Sequence, residues 1–138
     1  MGSGSLILLD THVLLWLDQG RTELGASSRR ATDEALRRGD LAVSAISFWE
    51  IARLSQRQRV IVSLPADSWR KDLLSSGLLE IAIDGRIGIR AAELERLHRD
   101  PADRFIVASA IELGARLITA DQRILAWRGS LLRLDARE

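Results

Sequence analysis

The sequence predicts an α/β fold, a three-layer α/β/α sandwich around a central, mainly parallel sheet of four or five strands. Two observations lead there. Short apolar runs alternate with amphipathic helical stretches along the whole chain, and right-handed crossovers then place helices on both faces of a parallel sheet. The runs, Leu6 to Leu9 first among them, also lack polar alternation, as strands covered on both faces do. Size agrees, because 138 residues with 46% hydrophobic content suit one domain that buries roughly two-thirds of its unfolded surface. That domain is expected over residues 5–134, with residues 1–4 set aside as a disordered or expression-derived lead.

Each element has a local reason. Leu6 to Leu9 ends on Asp10, and the densely apolar stretch from Thr11 to Leu17 reads as a short buried helix closed near Gly20. Gly25 to Arg38 sets Ala31, Ala35 and Leu36 against four arginines, an amphipathic helix that Gly39 stops. Leu41 to Val43 is a second strand, and Ser44 or Ser47 caps the helix carrying Phe48 to Leu54, whose tail to Arg59 is strongly basic. Pro65 at a first-turn position opens a helix through Leu74 that Gly77 ends, and Leu79 to Ile83 is a third strand. Asp84 caps a helix from Arg86 to Leu97. His98 to Pro101 breaks the chain, and Ala102 to Leu113 is helical up to Gly114. Arg116 to Thr119 is the fourth strand, followed by a short helix through Trp127 and a terminal strand at Leu131 and Leu132.

Charge and composition narrow the chemistry. Twenty basic against 19 acidic residues give a net charge of +1, so no bulk positive field draws nucleic acid to the surface, and any such binding is local. The absence of cysteine excludes disulfide scaffolds, zinc knuckles, thiol nucleophiles and iron–sulfur clusters. The early apolar stretch is interrupted by Asp10-Thr11-His12, which fits neither a signal peptide nor a membrane span, and a soluble cytoplasmic protein is expected.

Four carboxylates fall where packing does not ask for them. Asp10 and Asp121 each follow an apolar strand and precede a helix, so both emerge at the carboxyl edge of the sheet, where open α/β folds bind ligands; capping of the next helix is the competing explanation for each. Glu50 shares a helical stripe with Ile46 and Leu54, and a charge on that face must be protonated, paired with Arg53 three residues on, or bound to a cation. Asp103 continues the stripe of Ile106, Val107 and Ala110 into the first turn of its helix, where it serves either a capping box or the same cation. One shared site explains all four. Carboxylates crowded together repel unless protonated or neutralised, and all-oxygen donors select Mg²⁺ or Mn²⁺ over zinc. Such a site suits hydrolysis of phosphodiesters. Thr11 and Thr119 stand near the strand ends as hydroxyls for a metal-bound water or a phosphate, or as caps. The two histidines are given other roles: His12 is read as a packed helix residue and His98 as a turn residue that tethers backbone.

These residues sit in the segments Leu8-Leu9-Asp10-Thr11-His12, Ser47-Phe48-Trp49-Glu50-Ile51, His98 to Arg104, and Thr119-Ala120-Asp121, which in order and spacing resemble the PIN-domain ribonucleases, the VapC toxins of type II toxin–antitoxin pairs in particular. The resemblance spans Ser5 to about Leu134. It implies that Asp10, Glu50, Asp103 and Asp121 are the acidic catalytic and metal-ligating residues, with Thr11 and Thr119 in support. It also implies Mg²⁺- or Mn²⁺-dependent endonucleolytic cleavage of an RNA substrate, a homodimer, and inhibition by a cognate antitoxin protein. On this reading Arg53, Arg57 and Arg59 hold RNA phosphates at the mouth, because an acidic pocket does not attract RNA unaided. A catalytically inactive module that binds RNA or protein is the alternative. Phosphoaspartyl chemistry is disfavoured, because the second Asp that such phosphatases carry two positions on is His12 here.

Overall fold

The computed structural model describes residues 6–138; the lead expected over residues 1–4 lies outside them. Five strands, β1 (Ile7–Leu9), β2 (Leu41–Ser44), β3 (Leu79–Ile81), β4 (Arg116–Thr119) and β5 (Arg133–Asp135), form one sheet in the order β3-β2-β1-β4-β5, with every neighbouring pair parallel. The chain winds outward from β1 to β3, then returns to the other side of β1 for β4 and β5. The order therefore reverses between β1 and β4, and the crevice beyond their carboxyl ends is where such a sheet offers a ligand site.

Register explains how one short strand serves two cores. Leu8 pairs with Ala42 and Leu117, while Leu9 pairs with Val43 and Ile118, and successive side chains point to opposite faces. Leu8, Ala42 and Leu117 pack on one face with Ile106, Val107 and Ala110. Leu9, Val43 and Ile118 pack on the other with Val13, Leu14 and Ile51. The first face is covered by α6 (Pro101–Leu113) and α7 (Gln122–Leu125), and the second by α1 (Thr11–Gln19), α2 (Ala26–Arg38), α3 (Ala45–Gln56) and α4 (Ala66–Ser75). Leu8 and Leu9 are wholly buried, each burial stabilising the fold by roughly 2 kcal/mol. The three layers expected from the sequence are thus present, with five strands.

Helix ends follow local chemistry. Gly20, Gly39 and Gly114 close α1, α2 and α6 in the left-handed conformation, at φ 64°, 77° and 61°, a region that glycine enters without steric cost. The Ser44 hydroxyl accepts from the Ile46 N–H at 3.1 Å and starts α3.

Five boundaries differ from the sequence reading, the first being α7, which stops at Leu125 and not at Trp127. Pro65 is the N-cap of α4 and not a first-turn residue. The third strand stops at Ile81. The terminal strand lies at Arg133–Asp135, while Leu132 is 58% exposed. Finally α5 (Gly85–Glu93) ends four residues before Leu97. Its following turn is bound by Arg104, which donates to the carbonyls of Ala91, Leu94, Leu97 and His98 at 2.9, 2.6, 2.8 and 3.2 Å. Among the described residues no helix is long and apolar enough to cross a membrane.

Candidate active site

Asp10 leaves the end of β1 with its backbone N–H still donating to the Ile118 carbonyl, at 3.0 Å, so the ladder between β1 and β4 carries it one step past the strand. One carboxylate oxygen accepts from the Thr11 N–H at 2.9 Å as an N-cap, and the other accepts from the Thr119 hydroxyl at 2.6 Å. That hydroxyl in turn accepts from the Asp121 N–H at 3.1 Å. A wholly buried threonine at the end of β4 therefore ties the two strand-end acids together. Asp121 caps α7 through the Arg123 N–H at 2.8 Å, leaving its other oxygen toward the Arg123 guanidinium at 3.1 Å. Capping and a shared site are not exclusive for these two residues, since one oxygen does each.

Glu50 projects from α3 and Asp103 from the first turn of α6, and both line the same cavity as Asp10 and Asp121, a space of about 390 Å³. All four sequence-predicted acids thus meet in one place. Among the described residues Asp103 closes no capping box; its oxygen lies 2.6 Å from His98 Nε2 and 3.7 Å from Arg123. Glu50 forms no ion pair with Arg53 among the described residues. Arg53 lies instead over the Trp49 ring, its guanidinium carbon 4.8 Å from the centroid.

Both histidines depart from their sequence reading. His12 is exposed on the first turn of α1 and faces the cavity. His98 is an acid partner and not a backbone tether; it stands 4.0 Å from Asp121 as well, and its Nδ1 is buried with no hydrogen-bond partner among the described residues. Asp103, Asp121 and His98 place one ligand atom each within 4.8 Å of one another, a group that does not include Asp10 or Glu50. The all-oxygen donor set expected from the sequence thus has an imidazole beside it. Arg123 and Ser47 were also missed. The Ser47 hydroxyl shares a 2.8 Å hydrogen bond with the buried Thr11 hydroxyl, so Thr11, like Thr119, is engaged in holding the site together. Arg53 and Arg57 line a second cavity that borders the first through Glu50 and Asp100, whereas Arg59 lies on the other side, near His12 and Trp16.

The electrostatics describe a crowd of like charges. Burial pushes the Asp10 carboxyl above its ordinary range, opposed by the bonds from Thr119 and Thr11. Partial burial raises Glu50, the Thr11 hydroxyl opposes the rise, and the Asp10 charge adds to it. Asp103 is pushed up to about 7 by burial, against the pull of His98 and with the help of Asp10, Asp100 and Asp121. Burial also works on Asp121, but the Arg123 guanidinium and N–H outweigh it and hold this carboxyl below its ordinary range. Three acids that resist ionisation beside one that does not mark a crowd of like charges whose repulsion a bound cation would relieve. The donor set fits a hard dication: several carboxylate oxygens from separate elements, with water access.

The PIN domain family profile matches residues 7–128. The chain belongs to the PIN-domain family. This PIN-domain chain is 35% identical over 123 residues to "Ribonuclease VapC22" of Mycobacterium tuberculosis, a similarity that covers 88% of the chain and 92% of that protein. Among solved structures, its fold is similar to "DNA bound VapBC from Salmonella typhimurium", with a TM-score of 0.68, 17% identity, and 94% and 97% of the two chains covered. It is also similar to a "Toxin-antitoxin complex from Klebsiella pneumoniae", with a TM-score of 0.58, 24% identity, and 87% and 90% covered. The PIN-domain match covers the residues that carry all four acids.

Proposed function

We infer that the chain is a metal-dependent endoribonuclease, the toxin of a toxin–antitoxin pair, hydrolysing RNA phosphodiester bonds at the four-carboxylate cavity. The observation that carries this reading is the convergence of Asp10, Glu50, Asp103 and Asp121, from four separate segments, on one cavity at the carboxyl edge of the sheet. The 35% identity to a ribonuclease over nearly the whole chain supports the substrate class. Solved structures of similar fold that are toxin–antitoxin complexes support the partner.

Asp10, Asp103 and Asp121 would hold Mg²⁺ or Mn²⁺, with Glu50 on the opposing helix. Such an ion, when bound there, would lower the pKa of a water and offset charge on the phosphate and leaving oxygens. Thr119 fixes the Asp10 carboxylate by donating to one oxygen and keeps Asp121 in register through its N–H. His98 orients Asp103. Arg53 and Arg57 on one side and Arg59 on the other offset the acidic mouth and bind phosphates of the approaching strand. The same reading extends to a homodimer in the cytoplasm, silenced when the antitoxin covers the site.

The test is incubation of the purified chain with total RNA in the presence of Mg²⁺, Mn²⁺ or EDTA. Cleavage with metal, absent in EDTA and abolished by Asp10→Asn, is expected. RNA left intact under every condition, with binding retained, makes the chain an inactive RNA-binding module. In the same assay Arg57→Ala with Arg59→Ala lowers the salt slope of RNA binding by about one per lost phosphate contact; an unchanged slope removes both from the RNA path.

A further inference from the structure

Trp49 is the exposed aromatic that the metal chemistry does not use. It is 47% exposed on α3, although its neighbour Glu50 belongs to the acidic cavity. Its exposure leaves an aromatic ring within reach of a ligand beside the acidic cavity. The ring borders its own cavity, of about 360 Å³, together with Arg53, Arg57, Pro101 and Ala102. That cavity shares Glu50 and Asp100 with the acidic one, so whatever occupies it lies directly beside the scissile position. The Arg53 guanidinium lies over the ring, 4.8 Å from its centroid; it covers one face of the indole, holds it in place and leaves the other face to a ligand.

We propose that Trp49, backed by Arg53 and Arg57, is a nucleobase-stacking subsite that holds the nucleotide next to the cleaved phosphate of a single-stranded RNA. An aromatic face with flanking cations is the arrangement by which proteins grip unpaired bases, the face taking the base and the cations taking the backbone. Both are present here within one cavity, whose arginines stand beside Glu50 and Asp100; a chain that offers a flat base and a phosphate at every unit meets the ring and the guanidiniums together, which a neutral peptide does not. The subsite rests on the ribonuclease reading and deepens it. It gives the enzyme a reason to require unpaired RNA, because a base paired in a helix cannot reach the ring.

The experiment uses the intact protein in EDTA, with a short fluorescein-labelled single-stranded RNA and a series of the same RNA carrying one abasic position each. Trp49→Ala is expected to weaken binding roughly five- to hundredfold, while Trp49→Phe keeps most of the affinity and shows that the fold is intact. At one position, base removal weakens binding to the unaltered chain and has no further effect on Trp49→Ala. The salt slope stays unchanged in Trp49→Ala and falls in Arg57→Ala. Equal affinity of Trp49→Ala and the unaltered chain for every RNA overturns the subsite, as does a change in copy number by sedimentation with RNA affinity unchanged, which makes this face a contact between copies. Loss of metal-dependent cleavage in the unaltered chain overturns the ribonuclease reading instead, so the two failures are distinguishable.

Discussion

Asp103→Asn should make the metal-free protein more stable while removing a residue the site needs. The carboxyl is pushed from an ordinary 3.8 up to about 7, and each tenfold gain in proton affinity corresponds to about 1.4 kcal/mol. A folded-state value above the unfolded one means that the folded chain binds the proton more tightly. Stability is therefore unaffected below about pH 4 and falls as the unfolded carboxyl ionises first, with the full penalty reached above pH 7. About three such factors of ten set a ceiling on the order of 4 kcal/mol; the cavity is open to water, which screens part of the repulsion, so a penalty of about 2 kcal/mol is expected. The amide keeps the volume and an acceptor for His98 but carries no charge. Urea unfolding in EDTA at pH 8 should then show Asp103→Asn gaining about 2 kcal/mol, a rise in melting temperature of about 6 °C, with the gain vanishing near pH 4. A variant less stable than the unaltered chain at pH 8 would overturn this expectation. It would mean that the contact with His98 outweighs both burial and the three neighbouring acids.

Further outcomes follow from the supporting residues. Thr119→Val removes the hydroxyl that serves both Asp10 and Asp121; it should cost about 1 to 3 kcal/mol by chemical denaturation and, by pushing Asp10 higher, should move the acidic limb of the cleavage pH profile upward. Arg104→Met leaves the carbonyls of Leu94, Leu97 and His98 without their donor; a loss of about 2 to 4 kcal/mol is expected, with faster amide exchange over residues 94–99 and not in β1.

The central strands were legible because their reason is local. Leu6 to Leu9 is apolar without alternation, and the structure buries β1 on both faces. The four acids were legible for a related reason, each being polar where its neighbours are not. The misplaced fifth strand shows the opposite case. Leu131 and Leu132 attract attention by hydrophobicity, but pairing of Arg133 with Leu117 and of Leu134 with Ile118 sets the register, and a three-residue edge strand has no period to read. The end of α5 was hidden because its replacement hydrogen bonds come from Arg104, a side chain on the next helix. His98 was misjudged for the same kind of reason: only the turn through Asp100 and Pro101 brings it back onto Asp103, five residues later. Arg123 carried one readable signal, a position two after the capping Asp121, from which a long cationic side chain can fold back onto its cap.

Mn²⁺ binding followed by electron paramagnetic resonance is the decisive measurement. The chain should remove the signal of free Mn²⁺ saturably, with Mg²⁺ competing, and Asp10→Asn and Asp121→Asn should each weaken this binding by at least about tenfold. A signal that the chain leaves untouched, or that both variants quench as well as the unaltered protein, would rule out a dication held by these carboxylates.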